Sequence, residues 1–226
     1  MYANFFKRLI DFTLSLAALL VLSPLLLILI VLGAVKMKGN PFFTQLRPGK
    51  DEKIFKLIKF RSMTCETDEE GNLLPDAQRM TRYGQLLRAS SLDELPELLN
   101  ILKGDMALVG PRPQLVRDMV FMTPDQRRRH DIRPGLTGLA QVSGRNNITW
   151  EQKLQYDLTY LDSGITLFGD IKILFMTVFK VFKREDIVRD GTVSDMDFGD
   201  WLLQKGEVTK EEYDLRQEEA KKLMGV

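Results

Sequence analysis

The chain has 226 residues, 44% hydrophobic and 28% charged, with a formal net charge of +1. That suits one compact domain plus one membrane element, leaves no room for a second large domain, and provides no global field to recruit nucleic acid. A single cysteine, Cys65, excludes an intrachain disulfide and fits a reducing compartment, and a single histidine gives a His-based zinc site or a Ser-His-Asp triad little to work with.

An apolar run from Phe12 to Val35 opens the chain, with Lys7 and Arg8 before it, Lys36 and Lys38 after it, and Ser23-Pro24 at its midpoint. Its length suffices to cross a bilayer, which takes ~20 apolar helical residues. Cations at both ends ask for both ends to stay cytoplasmic, and Pro24 removes a backbone donor mid-run. A helix that enters one leaflet, breaks at Ser23-Pro24 and returns satisfies both demands, with the Ser23 hydroxyl available to a carbonyl that the break frees. The reading is a re-entrant membrane hairpin over residues 1–40. A kinked helix that spans fully also meets the length and stays open; a signal peptide finds only a poor cleavage site near Gly33-Ala34-Val35.

Past Asn40-Pro41, Phe42 to Gln45 reads as extended, followed by a turn at Arg47-Pro48-Gly49-Lys50. Ile54 to Met63 alternates apolar with basic residues, as a strand or short amphipathic segment does. An acidic loop, Glu66 to Gly71, leads to a helix near Gln78 to Arg88. Ser90 to Glu97 predicts a helix start with Pro96 in its first turn, and Gly104 is placed to end that helix. Met106 to Val109 is a short apolar stretch before Gly110-Pro111-Arg112-Pro113. Helical periodicity resumes near Gln114 to Phe121, and Thr123-Pro124-Asp125-Gln126 begins a helix that ends by Ile132. Arg133 to Arg145 reads as a glycine-rich loop, and Trp150 to Leu161 and Asp170 to Lys183 as helices. Thr209 with Glu212 has capping-box spacing for a terminal helix. The fold class is mainly α with few short β-strands: a compact domain over residues 41–190 and an extension over 191–226.

Catalysis in such a chain should rest on carboxylates and arginines. Asp93 and Glu94 are adjacent at a helix start, so their side chains diverge by roughly 100° around the axis and face different partners from one spot. One could attack while the other holds a metal, and hard carboxylate oxygens suit Mg²⁺; a merely capped helix start is the plain alternative. Arg112 between two prolines presents a planar fork that matches phosphate oxygens. Gly138, Gly144 and Arg145 combine a backbone open to close approach with a cation. Arg88 and Lys59 are further candidates, and Arg127-Arg128-Arg129-His130 with Arg82 and Arg133 are local cationic clusters for an anionic ligand.

Several motifs occur in a fixed order: Lys7-Arg8-Leu9-Ile10-Asp11, Ser23-Pro24, Phe43-Thr44-Gln45 with Arg47-Pro48-Gly49, Lys59-Phe60-Arg61-Ser62-Met63, and Ser91-Leu92-Asp93-Glu94-Leu95-Pro96. Lys103-Gly104-Asp105-Met106, Val109-Gly110-Pro111-Arg112-Pro113, Arg133-Pro134-Gly135 and Gly144-Arg145-Asn146 follow. In these the chain, from about Met1 to Val188, resembles the bacterial sugar transferases, specifically the small monotopic phosphoglycosyl transferases. The resemblance implies a cytoplasmic catalytic domain on the bacterial inner membrane and a re-entrant helix broken at Ser23-Pro24. It implies Asp93 as nucleophile on the β-phosphate of a UDP-sugar, releasing UMP, and Glu94 as ligand to Mg²⁺. It further implies Arg88, Arg112 and Arg145 as phosphate ligands with Lys59 beside them, and polyprenyl (undecaprenyl) phosphate as the acceptor, among membrane phospholipid. Which sugar is carried stays open; the pattern is nearest to users of N-acetylated amino sugars such as N,N′-diacetylbacillosamine, and users of glucose or galactose share it. A membrane-bound nucleotide-sugar pyrophosphatase and a noncatalytic scaffold are the alternatives. The tail from Trp201 to Tyr213 weakly resembles a short C-terminal helical module often used for oligomerisation, so a homodimer stands among the expected partners.

Overall fold

A computed structural model describes residues 2–144, 148–183 and 196–225. A π-helical turn, Tyr2–Phe6, runs into the long helix α1, Lys7–Lys36. The interruption expected at Ser23-Pro24 takes the form of a proline inside a continuous helix, not a gap between two helices. Pro24 has no N–H for Leu20 O, and the Ser23 hydroxyl donates to that same carbonyl at 2.8 Å. Lys7, Asp11, Ser15, Leu29 and Gly33 are buried along α1, a spacing that defines one stripe facing the domain. The other faces stay apolar and exposed, with Leu20, Val21 and Leu27 each more than 60% accessible.

Polar contacts tie the start of α1 to the domain. Lys7 Nζ lies 2.6 Å from Asp170 Oδ2, and Asp11 Oδ1 accepts the Leu108 N–H at 3.1 Å. Arg8 donates to Ile101 O and Leu102 O, carbonyls in the last turn of the helix Glu97–Lys103. Near the other end of α1, the Tyr83 hydroxyl donates to Leu29 O at 2.8 Å, and Leu29 packs with Phe60 and Leu87.

β1 (Phe42–Pro48) and β2 (Ile54–Phe60) form an antiparallel pair with Phe42 opposite Phe60. The predicted helix near Gln78 to Arg88 divides into α2 (Asp76–Arg79) and α3 (Arg82–Ala89). Thr81 is extended and caps α3 by accepting the Gly84 N–H, so the chain cannot stay helical through it. A 3₁₀ turn, Leu92–Glu94, precedes α4 (Glu97–Lys103), which Gly104 ends in the left-handed conformation at φ 95° as expected. β3 (Ala107–Val109), α5 (Val116–Met119) and α6 (Pro124–Arg127) follow.

The glycine-rich stretch after Arg133 is not a loop. It forms β4 (Gly135–Thr137), parallel to β3, and then α7 (Leu139–Gly144). Its glycines permit close backbone contact: a Cβ on Gly135 would come within 2.1 Å of Gly110 N, and one on Gly138 within 2.1 Å of Gly110 O. The phosphate role considered for Gly138 therefore gives way to strand packing. α8 (Trp150–Asp162) and α9 (Leu167–Lys183) complete the domain, and α10 (Phe198–Lys205) and α11 (Lys210–Met224) form the extension, α11 capped by Thr209 as its spacing predicted. The mainly α class with few short strands stands.

Candidate active site

Asn100, fully buried in α4, donates to Lys56 O at 2.8 Å and accepts from Ile58 N at 3.0 Å. Its amide thus serves β2 as a neighbouring strand would and fixes where Lys59 emerges. Ser91, in the left-handed conformation at φ 55°, turns the chain into the 3₁₀ turn that carries Asp93 and Glu94. The dyad therefore sits one turn before α4 instead of in its first turn, because Pro96 occupies the position preceding the helix.

Glu94 is the hub. Its Oε1 lies 2.8 Å from Lys59 Nζ and 2.6 Å from Arg112 NH2, and Lys59 Nζ also lies 3.1 Å from Oε1 of Glu97. That last pair is at ion-pair distance, yet its alignment leaves the buried Glu97 oxygen without a hydrogen bond. Arg88 donates through Nε to Ser62 Oγ at 3.0 Å and adds its charge beside Asp93. Glycine at position 84 lets α3 come this close, since a Cβ there would overlap Ser62 O at 1.8 Å.

The three carboxyls are driven apart. Burial disfavours the Glu94 anion, but Arg112 and Lys59 outweigh it and hold Glu94 well below the usual range. Burial, reinforced by the charge of Glu94, raises Asp93. Glu97 is pushed up to about 7, mainly by burial, with Glu94 adding to it against the pull of Lys59. Side-chain cations, not backbone amides, are what hold Glu94 ionised.

The Arg112 loop is held from behind. Arg129 NH2 donates to Arg112 O at 2.6 Å while the same guanidinium pairs with Asp157 at 2.7 Å, both side chains almost wholly buried. Arg47 NH1 donates to Pro113 O at 3.0 Å, and burial together with the charge of Arg112 brings Arg47 down to about 10.

Of the predicted site residues, Asp93, Glu94, Lys59, Arg88 and Arg112 are brought together, Ser23 and Pro24 lie within α1, and Arg145 falls outside the described residues. The Arg127-Arg128-Arg129-His130 cluster is not an anion site. Arg127 pairs with Glu52, Arg128 with Asp125 and Asp162, and Arg129 with Asp157. His130 is kept neutral, its pKa brought down to about 3 by burial and by Arg129. Arg133 likewise serves structure, donating to Gly104 O at 2.7 Å. Sequence reasoning missed Glu97, Arg47 and the Arg129–Asp157 pair; only Glu97, a carboxylate close after the dyad, left a signal that could have found it.

For Mg²⁺ the donor chemistry fits. Glu94 is ionised, its oxygens are hard, and Glu97 offers an orphaned buried oxygen nearby. No group of three or more metal-ligating side chains converges among the described residues.

Residues 2–184 match the family model for bacterial sugar transferases. The chain is 47% identical over 188 residues to the uncharacterized sugar transferase EpsL of Bacillus subtilis, covering 83% of this chain and 93% of that protein. It is 39% identical over 187 residues to the UDP-glucose:undecaprenyl-phosphate glucose-1-phosphate transferase of Klebsiella pneumoniae, covering 78% of this chain and 40% of that one. It is also 35% identical over 201 residues to the undecaprenyl-phosphate galactose phosphotransferase of Salmonella typhimurium, covering 81% and 42%. The chain thus spans about two fifths of the length of these last two relatives. The matched segment carries the dyad, both cations on Glu94 and the helix with Ser23-Pro24, and the chain belongs to the bacterial sugar transferase family.

Proposed function

We propose that this phosphoglycosyl transferase moves a sugar 1-phosphate from a UDP-sugar to polyprenyl phosphate, releasing UMP, through a covalent intermediate on Asp93. The observation that carries the reading is the shared Glu94: two cations converge on one carboxylate, leaving Asp93 beside it as a desolvated, separately tuned carboxyl. The Asp93 carboxylate attacks the β-phosphorus of the donor, and the bond from that phosphorus to the oxygen bridging the α-phosphate breaks, so that oxygen leaves on UMP. A phosphate oxygen of the polyprenyl acceptor then attacks the same phosphorus, and the bond to the Asp93 oxygen breaks, restoring the carboxylate. Arg112, Lys59 and Arg88 meet the charge on the transferring phosphoryl group, with Arg145 as a further phosphate ligand. Glu94 would hold Mg²⁺, which when bound supplies Lewis-acid neutralisation of phosphate charge.

A re-entrant path for α1 is supported by the contacts at its two ends. Lys7 and Leu29 both meet the one catalytic domain, although a straight helix would separate them by ~33 Å. A simple span would put them on opposite faces of a membrane, where one polar domain cannot reach both. The exposed stripe Phe168, Ile171, Phe175 and Val178 on α9 offers a second apolar surface toward lipid. Labelling of cysteines introduced at residue 2 and in the tail, with Cys65 replaced, should find both shielded in intact cells; outside labelling of residue 2 alone means a span.

Product analysis tests the reaction. UMP release from a panel including UDP-glucose and UDP-galactose should yield polyprenyl diphosphate sugar when polyprenyl phosphate is present. Sustained release of free sugar 1-phosphate, unaffected by polyprenyl phosphate, assigns a pyrophosphatase instead, and no UMP release from any donor favours a noncatalytic scaffold.

A further inference from the structure

The C-terminal extension lies beyond the segment that the family model matches. In the structure it docks on its own domain. α10 buries Phe198 and Leu202 against Met122, Trp150 and Leu154, and the Trp150 indole donates to Met196 O at 3.0 Å. α11 sets Ala220, 1% exposed, with Met224 against Val116, Met119 and Val120. Both helices thus bear on α5, the segment that follows the Arg112 loop.

Asp118 joins the two. Its Oδ2 accepts the Leu115 N–H at 3.0 Å, at the start of α5, and its Oδ1 accepts the Phe198 N–H at 2.9 Å, at the start of α10. Arg117 NH2 adds an ion pair to Asp197 at 2.6 Å. A helix of four residues has no stability of its own and takes its order from what packs on it. Much of what packs on α5 comes from the extension.

We propose that α10 and α11 are a brace that positions Arg112: by fixing α5 they fix the Pro111-Arg112-Pro113 loop and the direction of its guanidinium. Two prolines make that loop stiff, so a displacement of α5 is carried to Arg112 instead of being absorbed. None of the brace residues touches substrate. The inference rests on the reading of Arg112 as a ligand for the donor's diphosphate.

The test uses full-length chains in detergent and UDP as the probe, because every candidate donor shares that diphosphate. Leu202→Asp and Ala220→Asp put a carboxylate into each apolar contact, Arg117→Glu repels Asp197 while leaving the apolar contacts intact, and Leu215→Asp on the exposed face of α11 is the control. Expected are a UDP dissociation constant raised about tenfold in the first two, about twofold to threefold in Arg117→Glu, and unchanged in the control. Arg112→Ala should weaken UDP about tenfold by itself, and adding a brace variant to it should weaken binding no further. A brace that merely stabilised the fold would show two independent, multiplying effects, and that result overturns the proposal. Wild-type UDP affinity in Arg117→Glu overturns it too, even where the buried variants fail to fold. If Arg112→Ala alone leaves UDP binding intact, the fault lies in the role given to Arg112.

Discussion

Two regions of this molecule are crowded with arginines and carboxylates, and they are built differently. Around Arg127, Arg128 and Arg129 each cation has acidic partners of its own, Glu52, then Asp125 and Asp162, then Asp157. Around Glu94, two cations share one carboxylate, while Asp93 and Glu97 are pushed the opposite way from Glu94. A cluster in which every cation has acidic partners of its own holds chain segments together. A cluster whose like groups are split in acidity is prepared to handle charge that arrives with a ligand.

The largest expected effect comes from the split site. Asp93→Asn should abolish turnover, because an amide cannot form the acyl phosphate; normal rates in a UMP-release assay would remove Asp93 from the chemistry. Glu94→Gln should cost about 10²–10³-fold in rate and flatten the Mg²⁺ dependence, since it weakens both the cation pairing and the candidate metal ligand. A metal titration that matches wild type would take Glu94 out of the metal shell.

In the matched cluster the expected loss is stability. Asp157→Ala leaves Arg129 buried without its partner, which costs about 3–5 kcal/mol of folding free energy in such pairs; chemical denaturation reads it. Arg128→Ala, at an exposed position where solvent screens both of its pairs, should leave stability nearly unchanged. Equal costs for the two would erase the distinction between a buried strut and a solvated pair.

Glu97 sharpens the comparison through pH. Its native pKa of about 7 lies above its ordinary value of 4.5, so between those values the native state binds more protons than the unfolded chain. Its contribution to stability is therefore lost as pH rises through that window. Glu97→Gln should show a shallower fall in stability from pH 5 to 7.5 than wild type; an identical slope would assign the proton elsewhere.

The sequence made the backbone around the site legible wherever the signal was local. Gly104 ends α4, Thr209 caps α11, and the Ser23 hydroxyl answers the carbonyl that Pro24 frees. What it hid was set by distant partners. The glycines from Gly135 to Gly138 look like a loop until the backbone of Gly110 lies against them, and the arginine run looks like an anion site until Glu52, Asp157 and Asp162 arrive from other elements. The carboxylate dyad was visible as a pair, but its unequal acidity depends on Lys59 from β2 and on Arg112 from the loop before α5. No run of adjacent residues encodes that.

The most direct measurement is intact-protein mass spectrometry after incubation with donor UDP-sugars in the absence of polyprenyl phosphate. The wild-type chain should gain the mass of one phospho-sugar, mapped by peptide analysis to Asp93 and removed when polyprenyl phosphate is added, while Asp93→Asn gains none. UMP release at full rate on adding polyprenyl phosphate, with no adduct on the wild type at any time point, would contradict a covalent route through Asp93.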